Sequence, residues 1–100
     1  MAGKKIGFIA IYQQPADKKK FDERYQKHLE VVEKQIGKAI ESADVMKVED
    51  KVFYQAAVVK FRPGTDGAAI LDSAGMKAIV DDVNEFVPKG KAQVVPILKS

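Results

Sequence analysis

Two stretches of this chain, Lys4 to Gln13 and Val52 to Phe61, are apolar on both of their alternating faces. In the first, Ile6, Phe8, Ala10 and Tyr12 fall on one side, with Ile9 and Ile11 on the other. In the second, Phe53, Ala57, Val59 and Phe61 share one side, and Val52, Tyr54, Ala56 and Val58 share the opposite one. Period-two alternation marks a strand, and a strand that is apolar on both sides belongs in the middle of a sheet covered above and below. No other feature constrains the fold as tightly.

The segments between and around these strands complete a topology. Asp17 is placed to cap a helix running to Ile36, with Gly37 as its C′ residue. Phe21, Tyr25, Leu29, Val32 and Ile36 recur along it at helical spacing and fill an arc of about 80°, a core-facing stripe. Lys38 to Asp50 reads as a polar, bent edge strand. The turn-rich loop Arg62-Pro63-Gly64-Thr65-Asp66-Gly67 precedes a helical region from Gly67 to Phe86. That region breaks at Asp72-Ser73, where Ser73 caps the second piece, and Met76, Ile79, Val80, Val83 and Phe86 form its stripe. After a turn at Val87 to Lys91, Ala92 to Lys99 is a last strand, and Pro96 marks it as an edge. The order β-α-β-β-α-β is the ferredoxin-like arrangement, an α+β fold with a four-stranded antiparallel sheet.

Both helices of that topology cover the same face of the sheet. The face they leave bare should be polar, yet strands one, three and four carry bulky apolar side chains there. Two copies clasped sheet to sheet would bury them, so the expected state is a homodimer with a cavity between sheet and helices.

Length and charge narrow the rest. One hundred residues make one domain, 1–100, with a folded surface of about 5,600 Å² if compact. Seventeen basic against 14 acidic residues give net charge +3, but only two of the basic residues are arginine. The one dense cluster, Lys18-Lys19-Lys20, reads as a solvated helix face, so no nucleic-acid partner is expected. With no cysteine and one histidine, the chain has no disulfide, no thiolate site and no multi-histidine metal site of its own. G-x-S-x-G, P-loop and G-x-G-x-x-G patterns are missing, so no cofactor is expected. No apolar run approaches the roughly 18–20 residues of a membrane span, and none has signal-peptide flanks. The expected location is cytoplasmic, with no membrane partner.

The strand Ile6-Gly7-Phe8-Ile9-Ala10-Ile11-Tyr12, the loop Pro15-Ala16-Asp17 and the helix start Phe21-Asp22-Glu23-Arg24-Tyr25-Gln26-Lys27-His28 resemble the EthD family. So do Asp72-Ser73-Ala74-Gly75-Met76 and Asp81-Asp82-Val83-Asn84-Glu85-Phe86 in the second helical region. The resemblance spans nearly the whole chain. It implies a dimeric α+β barrel, in a superfamily that includes cofactor-free monooxygenases, muconolactone-type isomerases and polyketide cyclases. One departure is that Leu29-Glu30-Val31 follows His28, where the family often has a proline.

His28 lies about 20° from Phe21 on the helical wheel, so it points towards the sheet. It is either a general acid/base or a histidine bonded at the edge of the core. Asp82 flanks Ile79 and Phe86 and matches the family aspartate by its spacing to Phe86; such a carboxylate can orient His28. Tyr12, Tyr25 and Tyr54 are candidates for lining a pocket, Phe86 for packing at it, and Arg24 for binding an anionic oxygen of a ligand. Together these suggest a cofactor-independent enzyme of monooxygenase, isomerase or cyclase type, acting on a small hydrophobic molecule. The alternative is a non-catalytic binding or accessory protein that serves a degradation-pathway enzyme.

Overall fold

Alternation and capping set the elements close to where the sequence places them. The computed structural model describes residues 4–100, so the first three residues of the expected 1–100 domain lie outside the described part. In chain order the elements are β1 (Lys5–Gln13), α1 (Lys18–Ile36), a 3₁₀ turn (Gly37–Ala39), β2 (Ile40–Lys47), β3 (Phe53–Phe61), α2 (Gly67–Leu71), α3 (Ala74–Phe86) and β4 (Ala92–Leu98). The strands form one antiparallel sheet in the order β2-β3-β1-β4. The two strands that are apolar on both faces are therefore the central ones, and the fold is the expected α+β ferredoxin-like one.

Side-chain caps start the helices. The Asp17 carboxylate accepts from the Lys20 N–H at 3.0 Å and the Ser73 hydroxyl from the Met76 N–H at 3.1 Å. Each satisfies a backbone donor that the helix cannot, worth about 1 kcal/mol. The C-terminus of α1 differs from expectation. Gly37 has φ −53°, so it is not a left-handed C′ residue. The chain tightens into the 3₁₀ turn instead and runs directly into β2.

The helix-covered face is built from matched rows. Phe8, Ala10 and Tyr12 stand opposite Val59, Ala57 and Gln55 on β3, and opposite Pro96, Val94 and Ala92 on β4. On the bare face Ile9 and Ile11 pair with Val58 and Ala56, and Ile9 also with Val95. Ile9, Ile11, Ala56 and Val58 stay half-buried in the single chain, and Val95 is exposed.

A bulge corrects the expected faces of β3. Tyr12 pairs with Gln55 but Gln13 pairs with Phe53, which leaves Tyr54 as the extra residue. A bulge turns the side chains beyond it by one position. Phe53 is consequently 36% exposed rather than in the core, and Tyr54 reaches the helix side, where its ring meets Phe21 at 5.6 Å. Val80, expected in the α3 stripe, is also exposed, where α3 borders the cavity between sheet and helices.

Beneath α1 and α3 lies an aromatic cluster. Tyr12 packs on Phe21 and Tyr25 at 5.6 and 5.4 Å, and Phe21 stacks on Tyr25 at 5.7 Å. Such pairs contribute about 0.5–1.5 kcal/mol each beyond the area they bury. They also fix the part of α1 that carries His28.

Candidate functional site

His28 follows Tyr25 by one turn of α1, so the aromatic cluster that locks Tyr25 also aims the imidazole at the sheet. The residue is only 2% exposed, and its ring lies 5.5 Å from Tyr25 and 5.6 Å from Phe86. Its Nδ1 is 2.8 Å from a carboxylate oxygen of Asp82 on α3. Asp82 in turn accepts two bonds from the Arg24 guanidinium, at 2.6 and 3.3 Å. Arg24 and His28 are four residues apart on α1, and Asp82 reaches across from α3 between them.

The charges settle the protonation pattern. The Arg24 bond holds the Asp82 carboxyl below its usual range, with burial opposing and His28 assisting. An ionised carboxylate only accepts, so the proton of the shared bond sits on His28 Nδ1. Burial pushes the His28 pKa down, partly offset by Asp82 and reinforced by Arg24. Near neutral pH the ring is therefore uncharged, and Nε2 carries a lone pair. Among the described residues no hydrogen bond to Nε2 is found.

A cavity of about 240 Å³ lies between sheet and helices. Tyr12, Tyr25 and His28 line it together with apolar groups such as Leu29, Val59 and Ile79. It opens beside Val45, Val80 and Val94, each about 40% exposed. An apolar cavity of roughly 150 Å³ accepts benzene, so this one has room for one or two rings.

Of the residues singled out from sequence, Tyr12, Tyr25 and His28 meet at the cavity, and Asp82 stands behind His28. Two of the Arg24 donors are engaged with Asp82, so Arg24 supports that carboxylate. Arg24 and Phe86 border a neighbouring groove of about 520 Å³, with the guanidinium 4.7 Å over the Phe86 ring. Tyr54 borders neither space. Its hydroxyl donates to Asp22 at 3.0 Å, beneath the Lys47 ammonium, which is 3.9 Å from its ring.

Sequence reasoning passed over Asp22, Lys47 and Gln55. Lys47 Nζ donates to Asp22 at 2.5 Å and to the Gln55 side-chain oxygen at 2.6 Å. The available signal was Gln55 itself, a polar residue standing between Phe53 and Ala57 in an otherwise apolar row. Among the described residues no group of three or more His, Cys, Asp or Glu gathers to hold a metal ion. No described helix is long and apolar enough to cross a membrane.

An EthD family protein from Bacillus halodurans matches the structure with a TM-score of 0.78 at 22% identity, covering 96% of this chain and 99% of that one. In fold, the chain is EthD-like. A Nitrosomonas europaea protein provisionally assigned as an antibiotic biosynthesis monooxygenase matches the structure with a TM-score of 0.57 at 17% identity, covering 99% and 93%. A dimeric ferredoxin-like protein of unknown function from Thermobifida fusca matches with a TM-score of 0.58 at 9% identity, covering 99% and 96%. No family model matches the sequence, and no curated protein matches it.

Proposed function

We propose that the chain is a small cofactor-independent enzyme that moves a proton on a compact hydrophobic ligand held in the cavity. One observation carries this reading: a buried imidazole lines an apolar cavity, with its Nδ1 bonded to the Asp82 carboxylate. His28 Nε2 takes a proton from a C–H or O–H of the ligand. The imidazolium so formed is stabilised by Asp82, which Arg24 keeps ionised and in place. The hydroxyl of Tyr25 or Tyr12 donates to the ligand oxygen on which charge develops. Return of the proton to another atom completes an isomerisation or cyclisation. Where the proton comes from a C–H, the carbanion can instead add dioxygen to form a hydroperoxide, which loses water to leave a carbonyl at that carbon, one oxygen atom going to the product and the other to water.

The working unit in this proposal is a homodimer. The single chain exposes 6795 Å², well above the roughly 5,600 Å² of a compact monomer of this mass. The bare sheet face, with Ile9, Ile11, Val58 and Val95, supports that reading, and a standard interface would cover about 800 Å² per chain. One neighbour of the same fold is described as dimeric.

A second reading, a non-catalytic carrier, is favoured by the scarcity of polar groups around the cavity. A screen of one- and two-ring metabolites by thermal shift, followed by product detection, separates the two. Conversion by the wild type with binding alone in His28→Gln supports the enzyme. Conversion that is unchanged in that variant removes His28 from the chemistry. Binding without conversion in both proteins establishes the carrier.

A further inference from the structure

The groove beside the cavity shares no lining residue with it, and it gathers most of the chain's excess charge. Phe21, Phe86, Val87 and Pro88 supply apolar walls, and Lys20, Arg24 and Lys91 stand among them with one acid, Asp17. Three cations against one carboxylate leave net +2 on this lining, where the whole chain carries +3. Asp17 is already engaged, since its carboxylate accepts from the Lys20 N–H at 3.0 Å. Asp82 and Glu85, whose charges also act on Arg24, do not line the groove. Like charges set in low-dielectric walls focus a field on the space between them, and an anion placed there relieves it.

Hydrogen bonds and packing fix these walls in advance. The Gln13 N–H donates to the Lys91 carbonyl at 2.8 Å, and the Lys91 N–H to the Pro88 carbonyl at 3.0 Å, which ties the 87–91 turn to the end of β1. On the α1 side Phe21 is buried and stacks on Tyr25. Arg24 is the best-held of the three cations. Its guanidinium lies over the Phe86 ring, and Asp82 takes two of its five N–H donors. Three donors remain on a side chain that is 30% exposed and borders the groove. A guanidinium already fixed in this way gives up little further freedom when it meets a carboxylate.

We propose that this groove is a second binding site, and that it takes a ring-bearing carboxylate, with the ring against Phe21, Phe86 and Val87 and the carboxylate among Arg24, Lys20 and Lys91. The occupant follows from the chemistry of the walls. Aromatic and aliphatic side chains favour a ring, and charge-assisted N–H donors favour a planar acid at its edge. A volume of about 520 Å³ is that of an ordinary small-molecule cleft and holds two fused rings with their acid group. The site needs no proton transfer at His28, and it stands even if the cavity binds nothing.

The test compares 2-naphthoate with 2-naphthamide, two probes of nearly the same shape that differ in charge. Their affinities are measured calorimetrically for the wild type, for Lys20→Gln/Lys91→Gln, and for Lys77→Gln/Lys99→Gln. The last variant removes the same charge from the start of α3 and from beyond the end of β4. All four lysines are exposed, so both variants should fold. The acid-to-amide preference should fall roughly 3- to 10-fold in Lys20→Gln/Lys91→Gln, the worth of two exposed ion pairs. It should hold within about 2-fold in the other variant, and in the wild type it should shrink as salt is added. The backbone amide NMR signals of Phe21, Val87 and Lys91 should shift with 2-naphthoate. No binding of 2-naphthoate at millimolar concentration overturns the inference, and so does equal binding of acid and amide. A preference unmoved in Lys20→Gln/Lys91→Gln, or lost equally in both variants, overturns it as well, the second because net charge alone would then explain it. Shifts confined to cavity residues such as Val59 and Ile79 would place the acid in the cavity and overturn the second site.

Discussion

Replacing Asp82 by Asn tests the core of the proposed chemistry, because it keeps the shape and removes the charge. An amide has one acceptor oxygen, where the carboxylate has two. The Arg24 donors claim that oxygen, since the shortest bond at the site is theirs at 2.6 Å. The NH₂ group of the new residue then faces His28 Nδ1, which must become an acceptor. The ring proton moves to Nε2, and the cavity-facing nitrogen changes from base to donor. Turnover should fall by about 10²–10⁴, the usual contribution of a positioned general base. Stability should fall by only about 1–2 kcal/mol. The bonds lost are charge-assisted, but Arg24 is 30% and Asp82 16% exposed, so solvent screens the pair. That corresponds to a Tm lower by roughly 4–16 °C for a domain of this size. His28 is the only histidine, so the nitrogen NMR signals of its ring report the tautomer without overlap. The wild type should show a protonated Nδ1, and the variant a protonated Nε2 with a pKa displaced further down. An unprotonated Nε2 in both proteins would refute the assignment of Asp82 as the group that sets the tautomer.

Other consequences follow from the same geometry. His28 and Asp82 both titrate lower in the folded state, so the unfolded chain binds more protons and stability must decline as pH falls; the His28 part begins below its ordinary value of 6.5 and should vanish from denaturant-unfolding midpoints in His28→Gln. The rate of any proton-transfer reaction should rise with pH through a pKa below 6.5 and then level off, as a pH–rate profile in wild type will show. Ser73→Ala removes the α3 cap and should cost about 1 kcal/mol in chemical denaturation with little change in ligand affinity. In the proposed homodimer, Ile11→Lys or Val58→Asp on the bare sheet face should yield a monomer in analytical ultracentrifugation, and a sedimentation coefficient unchanged from wild type in both would count against the sheet-to-sheet pairing.

The β-α-β-β-α-β order, the central places of β1 and β3, the caps at Asp17 and Ser73 and the inward turn of His28 were legible in the residues. Each depends on a local rule: the period of two or 3.6, a side-chain oxygen placed for the N–H three residues on, or an edge position that tolerates proline. The EthD-like architecture is reached from those rules because both helices must cover one face. Local rules say nothing of partners far along the chain. That Arg24 bonds Asp82 depends on how α3 lies against α1, 58 residues away in sequence. The bulge that brings Tyr54 to Asp22 and exposes Phe53 shifts the pleat by a single residue, which no alternation pattern announces. Lys47 and Gln55 meet because β2 and β3 pair in one register and no other. The sequence determined which backbone forms and which side faces inward; packing between distant elements decided which polar groups touch, and so which ring nitrogen of the lone imidazole bonds the Asp82 carboxylate.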